Sequence, residues 1–507
     1  MAVRPAAAAT PTPRASRAST GRTAARTRCA RRPPDRSTAT AQPRRARAPR
    51  TRRRSARRAL SSGGAARAPS ARLYDARALG CQRIVNAPVL RCPLDCYGAR
   101  SMLEPRNEIR RIRAAAERLR PYIRRTPTVY SYTFSESSGC DVYLKLENLQ
   151  RTGSFKVRGA LNRVLALSDA ERARGLVAAS AGNHAQGVAL AAKLVGAPAT
   201  IVMPIATALI KIQRTEGYGA EVVLHGENYD AAQRHAAELA QQRGLVPIHP
   251  FDDPDVIAGQ GTVGLEILEE LPELDAIVVP IGGGGLISGV ALALKAVAPN
   301  VRVIGVQARG AAPMVRSFRS GRLENLERPE TIAEGIRVGA PGKLAFEVVR
   351  ACVDECVEVE EAEILEAVVQ TMEKSKVVAE AAGVAAVAAL IAGRVRDAKR
   401  VCAIVSGGNI DLNLLARIIE SGLAQSGRTH AIALRLPDTP GQLARVLDVL
   451  TEQQCNILDV QHYRSGWRVP LGSVDVEVLV EVRRAGAGVL LDAALRERGF
   501  DVRSVGP

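Results

Sequence analysis

From about Ile109 onward the chain alternates two hydrophobic patterns. One is a short, near-continuous apolar run, at 142–146, 176–179, 200–203, 276–279, 301–306 and 401–405. Runs of that length without alternation predict strands covered on both faces. The other is helical, as in Leu286, Val290, Leu294 and Val297, spaced by four, four and three. Strands alternating with such helices predict an α/β fold with two parallel-sheet subdomains. The pattern changes at 421–428, a Ser- and Gly-containing stretch that reads as a linker. Beyond it come strand 431–436, helix 442–453, strand 456–463, strand 473–482, helix 486–498 and strand 501–504. This βαββαβ order is the ferredoxin-like plan. The expected division is therefore 102–420, a linker at 421–428, and a small unit at 429–507.

The net charge of +20 looks like that of a nucleic-acid binder until it is divided by position. The first hundred residues hold 24 arginines, no lysine and three acids (Asp35, Asp75 and Asp95), so the rest is close to neutral. With Tyr74 and Tyr97 as its aromatics, that segment buries too little to offset chain entropy, and 1–101 is expected to be disordered. No aromatics interleave with its arginine runs for base stacking, which argues against a nucleic-acid arm. Arginine without lysine is what translated GC-rich non-coding sequence looks like, and Met102 is then the candidate start. The alternative is an organellar transit peptide; otherwise a cytoplasmic location is expected. No apolar run reaches membrane-spanning length. The nine cysteines contain no CxxC pair, so reduced buried thiols are expected.

Four segments carry candidate chemistry. Thr152-Gly-Ser-Phe-Lys-Val-Arg-Gly-Ala160 sets Lys156 after a Gly-Ser turn at a helix start. Ser180-Ala-Gly-Asn-His-Ala-Gln-Gly187 and Ser406-Gly-Gly-Asn409 are small polar loops that follow strands. Gly282-Gly-Gly-Gly-Leu286 lies between a strand and a helix, where its amides can point at an anion. A lysine able to form a Schiff base, a glycine-only anion cradle and two polar loops are the parts of a pyridoxal-phosphate enzyme. Arg158, two residues on, is expected to depress the pKa of Lys156. Taken singly the signals are weaker. Four glycines also make a flexible turn, and Asn183-His184 is also a helix cap beside a buried histidine.

The four motifs in this order resemble the threonine dehydratase (threonine ammonia-lyase) branch of the fold-type-II pyridoxal-phosphate enzymes. The resemblance runs from about Ile109 to the C-terminus and takes in Arg125-Thr-Pro127, Glu147-Asn148, His249-Pro-Phe-Asp-Asp-Pro254 and Ala258-Gly-Gln-Gly-Thr262. It implies pyridoxal 5'-phosphate as cofactor, with Lys156 as the Schiff-base lysine and the acid/base at the substrate Cα, and Phe155 beside it. It implies that Asn183 holds the cofactor's 3′-oxygen, that Gly282, Gly283, Gly284, Gly285 and Leu286 wrap the phosphate, and that Ser406 bonds the pyridine nitrogen. A hydroxyl there cannot keep that nitrogen protonated, which suits β-elimination. Ser180, Asn183 and His184 are implied to hold the substrate carboxylate.

Two departures discriminate within the family. Racemase relatives carry a second serine in the Asn-His loop, where this chain has Ala181, so racemisation is expected to be poor. The stretch Gln307-Ala-Arg-Gly-Ala-Ala-Pro313 lacks the carboxylates with which those racemases bind a divalent cation, and no metal is expected. Glu334 stands where many relatives have Asp, and Glu380-Ala-Ala-Gly383 is looser than the usual Glu-Gly-Ala-Gly.

The C-terminal unit resembles an ACT domain, with Pro437-Asp-Thr-Pro-Gly441 in the ligand-loop position. The implied function is deamination of L-threonine to 2-oxobutanoate and ammonia, feeding isoleucine synthesis. Isoleucine would act as inhibitor, valine as a second effector, and the chain as a homo-oligomer. Other readings are a catabolic threonine/serine dehydratase, a serine racemase and a non-catalytic amino-acid sensor.

Overall fold

The computed structural model describes residues 105–464, 469–484 and 486–504. The expectations for 1–101 and for Met102 lie outside the described residues. Among the described residues, fourteen strands form three sheets. In chain order they are β1 (Thr128–Tyr130), β2 (Asp141–Leu146), β3 (Leu176–Ala179), β4 (Ala199–Met203), β5 (Glu221–Leu224), β6 (Val246–Pro247) and β7 (Ala276–Pro280). Then follow β8 (Arg302–Ala308), β9 (Glu355–Val359), β10 (Arg400–Val405), β11 (Thr429–Pro437), β12 (Asn456–Tyr463), β13 (Ser473–Glu481) and β14 (Asp501–Ser504).

The larger sheet has the order β1-β2-β10-β7-β8-β9 and the smaller β5-β4-β3-β6. Apart from β1, which runs antiparallel to β2, every pairing in both sheets is parallel. The apolar runs become these strands because helices cover both faces. All five residues of β7 and of β4 are buried. The C-terminal sheet differs in kind. It is antiparallel in the order β12-β13-β11-β14, the ferredoxin-like arrangement. Along β13, Val474, Val476, Val478 and Val480 are buried while Glu477, Leu479 and Glu481 are exposed, as a one-faced sheet requires. Of the expected linker, Ser421–Gln425 is the last turn of the helix Leu412–Gln425, and only 426–428 connect that helix to β11. Leu415, Ile418 and Gly422 are buried along one side of that helix, and Gly422 carries this pattern into the composition break.

The helix Lys156–Ala166 matters most for the site. It packs between the helices Asn183–Val195 and Pro254–Glu270, and the second contact is backbone on backbone. A Cβ on Gly259 would lie 2.5 Å from the Arg158 carbonyl oxygen, so only glycine allows the approach. Arg158 itself has no solvent exposure. Its Nε and Nη2 donate to Glu147 at 2.8 Å each, and its two Nη atoms donate to Glu266 at 2.7 and 2.9 Å. Nη1 also donates to Thr262 Oγ1 at 3.1 Å, so all five guanidinium N–H groups are used. Lys145, also fully buried, donates to the Thr126 carbonyl at 2.7 Å and pairs with Glu266 at 2.9 Å.

Arg158→Ala leaves Glu147 uncompensated in the interior and Glu266 with Lys145 alone. Stability in urea denaturation is expected to fall by about 3–5 kcal/mol.

Candidate active site

The lysine loop is stitched to the end of β10. Phe155 N–H donates to the Ser406 carbonyl at 3.2 Å, and Ser154 pairs with Gly407 as an isolated antiparallel bridge. Lys156 then opens its helix and its Nζ donates to the Pro250 carbonyl at 2.9 Å. Burial lowers its pKa to about 8, against the opposing pull of the Glu380 carboxylate. The depressed pKa agrees with expectation, but the cause does not. Arg158 sits two positions along the helix, on the far side, where the two glutamates occupy it.

The glycine loop ends in the helix Gly285–Val297, whose N-cap is Gly284 at φ +103° with no side-chain cap. Its glycines are required from outside. A Cβ on Gly283 would lie 2.4 Å from the Phe251 ring, and one on Gly284 2.7 Å from Met314 Cε. The first-turn amides of that helix have no intrahelical partner and suit an anion. Leu286 is buried beneath them. Gln307, the first residue of the stretch without carboxylates, donates to the Gly282 carbonyl at 3.4 Å and accepts from Val315 N–H at 3.0 Å.

A second uncapped helix N-terminus faces the lysine. The helix Asn183–Val195 starts after Gly182 without a side-chain cap, and Ser180 Oγ accepts from Gly182 N–H at 3.2 Å. A Cβ on Gly187 would lie 3.2 Å from the Lys156 main chain, so this helix and the lysine helix are in close contact. His184 turns inward. The residue is 3 % exposed, and Nε2 lies 2.9 Å from the Ile248 carbonyl, which can only accept. Burial and the positive charge of Lys156 push its pKa down to about 3. The ring therefore brings no positive charge to a carboxylate, and what this position offers a ligand is its main-chain amide.

Asn183, Asn409 and Glu380 form a connected row. Asn183 Nδ2 donates to Glu380 Oε1 at 2.5 Å, and Asn183 Oδ1 accepts from Asn409 Nδ2 at 2.7 Å. Burial raises the Glu380 pKa to about 7, opposed by the Asn183 hydrogen bond and by Lys211. Ser406 is 5 % exposed, and its hydroxyl makes only a long 3.4 Å bond to the Ala382 carbonyl. Glu334 pairs with Lys211 at 2.6 Å, linking the turn Glu334–Ile336 to the helix Leu209–Glu216 beside the smaller sheet. The roles of Glu380, Asn409 and Lys211 were not legible beforehand. The first two lie inside quoted motifs, but only contact reveals what they touch.

The structure thus brings Lys156, Phe155, Ser180, Asn183, His184, the glycine loop and Ser406 to one region between the two parallel sheets. Two buried polar atoms of its loops, Ser154 Oγ and His184 Nδ1, have no partner in the protein. Those atoms, the two uncapped helix starts and the weakly held Ser406 hydroxyl form a set of donors and acceptors that fits a phosphorylated pyridine aldehyde. Comparison with known families decides the point, since residues 119–407 match the pyridoxal-phosphate dependent enzymes.

The chain belongs to that family. Among its relatives is the L-threonine ammonia-lyase of Thermotoga maritima, 48 % identical over 395 residues, which cover 78 % of this chain and 98 % of that one. The L-threonine dehydratase catabolic TdcB of Staphylococcus aureus is 46 % identical over 317 residues, 62 % of this chain and 92 % of its own. Among solved structures, the processed form of threonine deaminase isoform 2 from Solanum lycopersicum is 38 % identical with a TM-score of 0.60, covering 62 % of this chain and 93 % of that chain. Maize serine racemase is also 38 % identical, with a TM-score of 0.59, covering 62 % and 98 %.

The depressed pKa of His184 makes a signed prediction. The folded state keeps the ring neutral, while an unfolded histidine protonates near about 6.5. Its contribution to stability is complete above that pH and is lost as the pH falls below it. Between pH 7.5 and 5.5 the wild type should lose about 1.4 kcal/mol more stability than a His184→Gln variant, measured by paired denaturant titrations.

Proposed function

We propose that the protein is an L-threonine ammonia-lyase that uses pyridoxal 5'-phosphate to convert L-threonine to 2-oxobutanoate and ammonia. The observation that carries the reading is Lys156: a half-buried lysine whose amine has a lowered pKa, set between two uncapped helix N-termini. The cofactor, when bound, supplies an electrophilic aldehyde and a ring that withdraws electrons from the substrate Cα. Lys156 would attach it and, once released, remove the Cα proton. Glycines 282–285 and Leu286 would hold the phosphate through main-chain amides. Asn183 would donate to the 3′-oxygen, Phe155 would line the pocket, and Ser406 would bond the ring nitrogen. Ser180, with the main-chain amides at 183 and 184, would orient the carboxylate.

Ala181 favours elimination over racemisation, because a methyl group cannot deliver a proton to the opposite face of Cα. With L-serine, pyruvate formation is expected to exceed D-serine formation by at least about 10²-fold, measured by chiral chromatography. The chemistry is that of a catalytic region at 102–420. The unit at 429–507 would be an ACT-like regulatory module on a homo-oligomer, with the loop 437–441 taking isoleucine, antagonised by valine. Its ferredoxin-like sheet order supports this, as does the longer match to the Thermotoga relative than to the catabolic S. aureus one. A biosynthetic, cytoplasmic enzyme is the reading favoured; the catabolic dehydratase is the second.

The test is 2-oxobutanoate production from L-threonine by the purified full chain, with and without isoleucine. Lys156→Ala should lose at least about 10²-fold in rate. Suppression by isoleucine supports the biosynthetic reading, and turnover indifferent to isoleucine selects the catabolic one. Cofactor bound through Lys156 without threonine turnover would discard the substrate assignment.

A further inference from the structure

We infer that Glu380 and Asn409 are positioning residues that hold the side-chain amide of Asn183 in the one orientation that keeps an N–H free for the cofactor. The inference rests on the reading of Asn183 as a cofactor contact. It starts from the polarity of the hydrogen-bond row. At one end is the main-chain carbonyl of Thr152, which can only accept. Asn409 Nδ2 donates to it at 2.7 Å and, with its other hydrogen, to Asn183 Oδ1 at 2.7 Å. The Asn409 amide oxygen packs against Gly153, where a Cβ would lie 2.6 Å away. At the other end Glu380 Oε1 accepts from Asn183 Nδ2 at 2.5 Å.

The Thr152 carbonyl obliges Asn409 to present its NH₂, and that sets the direction of each bond that follows along the row. Turning the Asn183 amide over would aim its oxygen at the Glu380 carboxylate and its NH₂ at the NH₂ of Asn409. The contact with Asn409 would turn from attraction to repulsion, and so would the contact with Glu380 whenever its carboxyl is ionised. In the observed orientation one of the two Nδ2 hydrogens is spent on Glu380 and the other is left over. Asn183 is thereby presented as a donor, which is what an anionic ring oxygen requires. Glu380 is itself held in place by close packing, since a Cβ on Gly407 would lie 2.1 Å from its Oε1. Lys156, Lys211 and Glu334 are the charged groups that act on it.

The test uses the full chain loaded with pyridoxal phosphate and reads cofactor dissociation together with the pH at which the lysine-bound cofactor band changes. Asn409→Asp puts an acceptor opposite Asn183 Oδ1 and favours the turned-over amide. Glu380→Ala removes the acceptor that holds Nδ2, whereas Glu380→Gln can still accept. The first two variants should weaken cofactor binding by about 10- to 100-fold and shift the band's pH midpoint, with Glu380→Gln within about threefold of wild type. In an Asn183→Ala background Glu380→Ala should add nothing further, because its effect runs through Asn183. An equal loss with and without Asn183 would make Glu380 a structural residue and overturn the inference. So would unchanged binding in Asn409→Asp and Glu380→Ala when the thermal melts match wild type. If the wild type shows no Lys156-dependent band, the cofactor reading itself fails and the inference falls with it.

Discussion

A guanidinium with no access to water organises the catalytic half of this molecule. Arg158 has all five N–H groups on Glu147, Glu266 and Thr262, so three separate segments must arrive together for any of those charges to be buried. Those segments are the turn Glu147–Leu149 that follows β2, the helix Lys156–Ala166 and the helix Pro254–Glu270. Removing a charge from water is expensive, and the outlay is recovered only when the geometry is complete. The arrangement therefore specifies where the lysine helix lies more than it adds stability. Lys156, two residues before Arg158, inherits that fixed position.

The chemistry follows from the position. With the helix pinned behind it, the lysine amine lies where burial lowers its pKa and where two helix starts present unpaired amides. One start belongs to the smaller sheet and the other to the larger, so the site exists only while both are in place. Lys211 and Glu334 link the same two parts, yet Glu334 is about half exposed, which makes that pair a modest contributor. The extra methylene that distinguishes Glu334 from aspartate gives the side chain additional reach toward Lys211.

The C-terminal sheet obeys a different physical rule. Its inward residues meet helices on one side only, and this is why alternation is clean along β13 and absent from β7. At its edge, all eight residues of β12 are exposed. The helix ending at Gln425 runs almost to the first strand of this sheet, so little free chain separates the two.

Much of this was determined by the sequence alone. Hydrophobic periodicity located the six parallel strands it named and the whole βαββαβ order, because burial on two faces or on one leaves different traces in local spacing. The motif order around Lys156 and the four glycines indicated the cofactor class, since few other chemistries need a lysine and a glycine-only loop in that sequence. Tertiary structure decided what local spacing does not encode. It assigned Arg158 to Glu147 and Glu266 rather than to Lys156, and turned the His184 ring into the core. It also joined Asn183 to Glu380 and Asn409, residues 197 and 226 positions away along the chain. Such pairings depend on which side of a helix a side chain leaves and on what the opposing segment presents there. Only the packed chain sets either of those.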